Sequence, residues 1–166
     1  KIDKKLSRTA VKSRNIIPYT TVDGQHNDAS KNIHGWTNGF WGGLMWLMYN
    51  ATKNEDYKLT AIESEKMMDE AFKDVEKLHH DVGFMWNISS GVNYRINGDK
   101  QALCDELLAA NTLSSRFNMK GGYIRAWNSW KTDDEDGNKG WAIIDCMMNV
   151  PLLYRASEIT DDERFS

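Results

Sequence analysis

At 166 residues, 40% of them hydrophobic, and with a formal net charge of −3, the chain has the size of one domain and enough apolar content for a core. That charge argues against a nucleic-acid or membrane partner held by bulk electrostatics, and no run reaches the roughly 20 apolar residues of a membrane span. Two prolines in the whole chain favour helices, and seven tryptophans, six tyrosines and five phenylalanines exceed what a core needs, so some rings are expected as stacking faces.

The elements are read in chain order. Residues 2–14 form a mostly polar helix, followed by the turn-like segment IIPYTTVDGQHND. A helix over 36–51, opening WTNGFWGGLMW, is apolar nearly all round, through Trp36, Phe40, Trp41, Leu44, Met45, Trp46, Leu47 and Met48. A helix apolar on every side is buried on every side. The next, 55–78, carries one stripe of Ala61, Met68, Phe72 and Val75 among Glu and Lys, so it packs on one face. DVGFMWNISSGVNYRI, from Asp81, is a second apolar stretch, followed by a one-sided helix over 99–117. WAIIDCMMNVPLLYRASE, from Trp141, is the third apolar helix. Cys104 and Cys146 lie far apart in apolar helical segments and are expected as buried free thiols. Without a disulfide framework the chain leans to a cytoplasmic setting, and no signal peptide is visible in a sequence that begins at Lys1.

The junctions YNATKNEDY, YRINGDKQA and YRASEITDDERF resemble one another: a tyrosine, a short polar turn, then the acidic start of a helix. An inner apolar helix paired with a one-sided outer helix, repeated about three times, predicts an all-α toroid. The third outer helix only begins at DDERFS, so residues 1–166 read as the first half of one barrel domain, its remainder outside this chain. The open edge of a half-ring offers apolar surface for self-association.

Parallel inner helices gather their N-terminal ends at one mouth. Trp36, Asn38, Gly39 and Phe40 fall at the first end, His80, Asp81 and Gly83 at the second, and Asp145 at the third. The segment GGYIRAWNSW brings Trp127, and with it Trp130, over the same opening. Gly42 and Gly43 are explained by helix packing, while Gly39 reads as admitting a ligand. Asp145, within AIIDCMMNV, is expected in apolar surroundings, where desolvation favours the protonated form and so a general acid. Asp81 suits an N-cap and also a second carboxylate at the mouth. HHD (79–81) invites a metal reading, but adjacent histidines point apart on a helix or strand and no HxxxH or CxxC supports one. No GxSxG, P-loop or GxGxxG occurs, and TDDEDGNK (132–139) is an acidic turn that lacks the glutamate of a calcium loop. Two aspartates among aromatic walls point to acid/base work on a carbohydrate.

WTNGFWGG, HDVGF, IRAWN and IIDCMMNVPLLYRASE, in that order from residue 36 onward, resemble the unsaturated glucuronyl hydrolases, family 88 of the glycoside hydrolases. The resemblance implies a six-hairpin α/α barrel, Asp145 as general acid/base, and Asp81 as the second catalytic aspartate. It places Trp36, Phe40, His80 and Trp127 around the sugar, joined by Asn38 from its place at the head of the first helix. It also implies an unsaturated uronyl oligosaccharide as partner, hydration of the C4–C5 vinyl ether as reaction, and no metal or cofactor. The family draws further site residues from its second half, so residues 1–166 alone are expected to be inactive. The alternatives are the related unsaturated rhamnogalacturonyl hydrolases and a non-catalytic helical sugar-binding protein.

Overall fold

The computed structural model describes residues 1–129, 137–141 and 143–166. Helix α1 (Ile2–Lys12) leads through a hairpin of β1 (Thr21–Val22) and β2 (Gln25–His26) to α2 (Asn38–Thr52). Then come α3 (Glu55–Asp69), α4 (Val82–Ile88), α5 (Ser90–Asn97) and α6 (Lys100–Ser114). A second hairpin, β3 (Phe117–Asn118) with β4 (Tyr123–Ile124), precedes α7 (Cys146–Thr160).

The repeat in the sequence is a repeat in backbone conformation. Lys53, Gly98 and Asp161 end α2, α5 and α7 with left-handed φ of 58°, 67° and 54°, each N–H returning to the carbonyl four residues back. The next residue, Asn54, Asp99 or Asp162, accepts a backbone N–H from Asp56, Ala102 or Arg164 and starts the following helical element. A left-handed residue reverses the chain and an Asn or Asp cap restarts it, so each junction makes a helical hairpin. α2 packs on α3, and α4 with α5 packs on α6; α4 lies between α2 and α7. This is part of an α/α barrel, with α2, α4–α5 and α7 as its inner layer.

The glycines show how the inner helices run. A Cβ on Gly39 would stand 2.6 Å from Met85 Cα, and one on Gly43 would stand 2.9 Å from the Ile88 carbonyl. The contacts advance together along α2 and α4, so these helices are parallel. Gly39 is thus a close-packing glycine, against the expectation that it admits a ligand. Gly42 is the looser of the set, 3.4 Å from Ser64 Oγ.

Local structure departs from the sequence pattern in several places. The second apolar stretch is two helices, broken at Ser89 (φ −102°, ψ −94°), whose hydroxyl donates to the Met85 carbonyl at 2.6 Å. The helix expected to Leu78 is regular only to Asp69. A 3₁₀ stretch (Glu70–Lys77) follows, kinked at Asp74, which leaves Val75 exposed. α3 is covered on a second side by α1, with the Tyr57 hydroxyl donating to Asp3 Oδ1 at 2.8 Å and that of Thr60 to the Ala10 carbonyl at 3.1 Å. The third inner helix begins at Cys146 instead of Trp141. Both cysteines are free, but Cys104 is exposed and Cys146 half-buried. α2 is not buried all round: Leu44 and Leu47 face out, as do Met147 and Met148 of α7, whereas Leu152 is fully buried.

The core holds Trp46, Trp86, Tyr57, Met45, Met68, Met85 and Leu113. A buried indole N–H needs an acceptor, and α3 supplies two. Trp46 donates to Glu65 Oε1 at 2.5 Å and Trp86 to Asp69 Oδ1 at 3.2 Å, while Asn93 donates to Glu65 Oε2 at 2.7 Å. Burial pushes the Glu65 carboxyl up to about 8, and burial with the nearby Asp105 pushes Asp69 up to about 7. A carboxyl raised in the fold supports the folded state fully below its ordinary value of 4.5 and loses that support as pH rises through about 8. Stability should therefore fall across that window by roughly 1–4 kcal/mol, and Glu65→Gln should flatten the fall. Urea titrations at a series of pH values measure this; a flat wild-type profile would show that the fold accommodates the charge without cost.

Candidate active site

Leu78 is extended (φ −69°, ψ 144°), and the chain turns through His79 and His80 into α4 with Asp81 at the N-cap. Asp81 caps nothing with its side chain. Its carboxylate goes to the two histidines: His79 Nδ1 lies 3.0 Å from Oδ2 and His80 Nε2 lies 3.1 Å from Oδ1. The pair converges where a helix or strand would have splayed it, because a turn carries it. Burial pushes the Asp81 carboxyl up, but hydrogen bonds and charge from His79 and His80 outweigh burial and hold it well below the usual carboxylate range.

Asp145 holds the same N-cap position on α7, and its Oδ1 lies 3.6 Å from His80 Nε2. The two aspartates expected at one mouth thus approach the same imidazole nitrogen. Asp145 is not enclosed as the sequence suggested. Its side chain is 39% exposed against 2% for Asp81, because Ile144, Met147 and Met148 face outward. His80, Asp81 and Asp145 each bring a ligand-type atom within 4.8 Å of the others, a spacing that serves a shared proton as well as a cation. Asn149, fully buried one turn along α7, accepts the Phe84 N–H at 2.9 Å and turns its amide nitrogen to Asp81 Oδ1 at 3.4 Å.

The rings form the rim. Trp36 and Phe40, half exposed, stand edge-on to each other at 6.1 Å, and both lean on buried Phe84, at 6.1 and 5.6 Å. Trp127 lies over His79 and His80 at 6.0 and 5.6 Å. Asn38 is placed otherwise. It is buried, and its amide donates to the Asn32 and Ile33 carbonyls at 3.0 and 2.9 Å, which ties down the segment bearing Trp36 instead of presenting an amide to the opening. Trp130 and the acidic run 132–136 lie outside the described residues.

Sequence reasoning missed the residues that hold Trp127 in place. The Arg116 guanidinium donates to the carbonyls of Leu78 (3.0 Å), Arg125 (2.7 Å) and Ala126 (3.1 Å) and to Asn128 Oδ1 (3.0 Å). Asn128 in turn donates to the Glu76 and Leu78 carbonyls, and the His80 N–H to Ala126. One cation thus pins the Trp127 loop to the segment leading into His79–Asp81. Burial and Arg125 lower its pKa to about 10, against which Asp81 acts. Arg116 follows a helix end like many surface arginines, so its sequence carries no signal. Asn149 did carry one, as an amide in the apolar first half of α7, between Met148 and Val150.

Hairpin-linked helices with two aspartates at the ends of neighbouring inner helices define part of an α/α barrel. No family model matches the chain. It is 36% identical over 144 residues to the unsaturated glucuronyl hydrolase of Bacillus sp. (strain GL1), covering 86% of this chain and 37% of that protein. It is 37% identical over 131 residues to the unsaturated chondroitin disaccharide hydrolase of Streptococcus pneumoniae (strain ATCC BAA-255 / R6), covering 78% and 32%. The fold matches a solved unsaturated glucuronyl hydrolase variant with dGlcA-Glc-Rha-Glc at a TM-score of 0.82 and 30% identity, over 99% of this chain and 44% of that one. The chain belongs to the unsaturated glucuronyl hydrolase family and spans about a third of the length of the curated relatives it matches.

Replacing Arg116 by Met should leave the Arg125 carbonyl and Asn128 Oδ1 without the guanidinium donor, take one of two donors from the Leu78 and Ala126 carbonyls, and cost about 1–3 kcal/mol of stability. It should also free Trp127 from the histidines. Denaturant unfolding and near-ultraviolet circular dichroism check both; an unchanged tryptophan signal would show that the loop is held without the guanidinium.

Proposed function

We propose that this chain carries the acid/base part of a site that hydrates unsaturated uronyl residues at the ends of oligosaccharides released by polysaccharide lyases. The observation that carries the reading is the approach of Asp81 and Asp145 to one nitrogen of His80, at 3.1 and 3.6 Å, with Trp127 packed on that imidazole. The sugars named with the relatives, a chondroitin disaccharide and dGlcA-Glc-Rha-Glc, support the substrate class.

The substrate's C4–C5 double bond is a vinyl ether through the ring oxygen. Asp145, open to the mouth, delivers a proton to C4, and positive charge develops at C5 and the ring oxygen. Asp81, kept ionised by its histidines, stabilises that charge. Water then adds at C5 and gives its proton to the Asp145 carboxylate, restoring the acid. The hemiketal so formed opens, and the glycosidic bond breaks without attack at the anomeric carbon.

In the full protein, Asp145→Asn should cost about 10²–10⁴-fold in turnover of unsaturated disaccharides, with substrate still bound. Loss of the ultraviolet absorbance of the conjugated double bond reports the rate, and turnover within threefold of wild type would make Asp145 structural. Saturated glucuronides should be untouched; turnover of them at an equal rate sinks the reading.

Residues 1–166 by themselves present a groove of about 430 Å³ lined by Phe40, Leu44, Leu47, Ile88, Val92 and Ile96, together with exposed Met147 and Met148. Burying such surface is worth roughly 25 cal/mol per Å². This stretch produced alone should self-associate and turn over little substrate. Sedimentation velocity and the absorbance assay decide; an active monomer would overturn both expectations.

A further inference from the structure

Asn149 stands behind the cluster, out of reach of solvent, and the direction of its amide is settled by its surroundings. The Phe84 N–H is one of the first-turn donors of α4 that the helix itself leaves unpaired, and it stands 2.9 Å from one end of the amide. That end is therefore the carbonyl oxygen. The nitrogen end faces His80 Nδ1 at 3.4 Å, Asp81 Oδ1 at 3.4 Å and the Asp145 carbonyl at 3.3 Å. The two hydrogens of the amide face two acceptors, Asp81 Oδ1 and the Asp145 carbonyl, and one ring nitrogen whose role the tautomer decides.

A donor turned toward His80 Nδ1 requires a lone pair there, since an Nδ1–H would set hydrogen against hydrogen. A neutral imidazole then carries its proton on Nε2, the atom lying between Asp81 and Asp145. We propose that Asn149 is a positioning residue that sets the tautomer of His80, so that the imidazole proton stands between the two aspartates. The inference rests on the acid/base reading above for its consequence, though not for its geometry. With Nε2 protonated, His80 has no lone pair facing the Asp145 proton, which goes to the sugar instead. It also turns a positive edge toward Asp81 Oδ1, 3.1 Å away. The same proton occupies the lone pair that a cation at this cluster would need. Gly83 permits the arrangement, because a Cβ there would stand 2.5 Å from Asn149 Cα and 2.6 Å from its Oδ1.

The test is nitrogen-15 NMR of the full protein labelled at histidine, with His80 assigned by loss of its signals in His80→Gln. Wild type should show the Nε2–H pattern at neutral pH. Asn149→Asp keeps the shape but offers acceptors in place of the amide hydrogens. It should move the proton to Nδ1 or add a second, and lower kcat on an unsaturated disaccharide by roughly 10²–10⁴-fold, as a wrong tautomer does in a related arrangement, with KM within about threefold. An Nδ1–H pattern in wild type overturns the proposal, as does an Asn149→Asp protein that keeps Nε2–H and its kcat. If Asn149→Asp fails to fold, the wild-type spectrum decides alone. An Nε2–H spectrum in a wild-type protein that ignores unsaturated sugars supports the tautomer assignment and removes the functional reading.

Discussion

The approach of α4 to α7 at Gly83 is the constraint on which the site depends. With no side chain at 83, Asn149 can sit against the α4 backbone and take the Phe84 N–H. Only at that separation do the two N-cap aspartates share one imidazole. The same device recurs between α2 and α4, where Gly39 lies on the Met85 backbone and lets Phe40 reach Phe84. Glycine inside a helix costs about 1 kcal/mol relative to alanine. Here a single methyl group would push apart the helix ends that carry the chemistry, and that loss is larger.

Two residues of one type receive different surroundings from this packing. Asp81 is sealed, with one oxygen toward each histidine, and is held in its charged form. Asp145 has an exposed face and no hydrogen bond to its inner oxygen. A sealed charge suits electrostatic stabilisation of a cation, and an open carboxyl suits exchange of a proton with substrate and water. Environment, more than identity, divides the labour.

The helical hairpins were legible because apolar periodicity and Asn or Asp caps are local signals, and the three junctions fold alike. The two aspartates and the Trp36, Phe40 and Trp127 rim were legible by position once the inner helices were taken as parallel. Contacts made across sequence distance were not. Arg116 reaches Leu78 across 38 residues, and nothing near Arg116 announces a clamp. The convergence of His79 and His80 was misread because it depends on a tight turn, whereas the spacing was judged against regular structure. The burial of Asp145 was overestimated for a related reason. Apolar neighbours in sequence enclose a residue only if they face its way, and Ile144 and Met147 do not.

Polar groups in the dry layer between helices meet their needs unevenly. Toward the outer helices, indoles and amides close on carboxylates: Trp46 and Asn93 on Glu65, Trp86 on Asp69. The Glu106 carboxylate, without a hydrogen bond, still has Arg95 at 3.6 Å. Trp41 Nε1, Ser64 Oγ and Ser90 Oγ are left without a partner, and so are two atoms at the mouth. Asn149 is used up, yet His80 Nε2 and Asp145 Oδ1 are buried atoms without a hydrogen bond of sound geometry. Unmet polar atoms inside a protein are costly, and natural sequences concentrate such departures where function requires them. On the proposed function, the two incomplete atoms at the mouth belong to the acid and the imidazole that meet the substrate. A uronyl residue bound as that reading requires brings hydroxyls that can donate to Asp145 Oδ1 and a carboxylate that can accept from His80 Nε2.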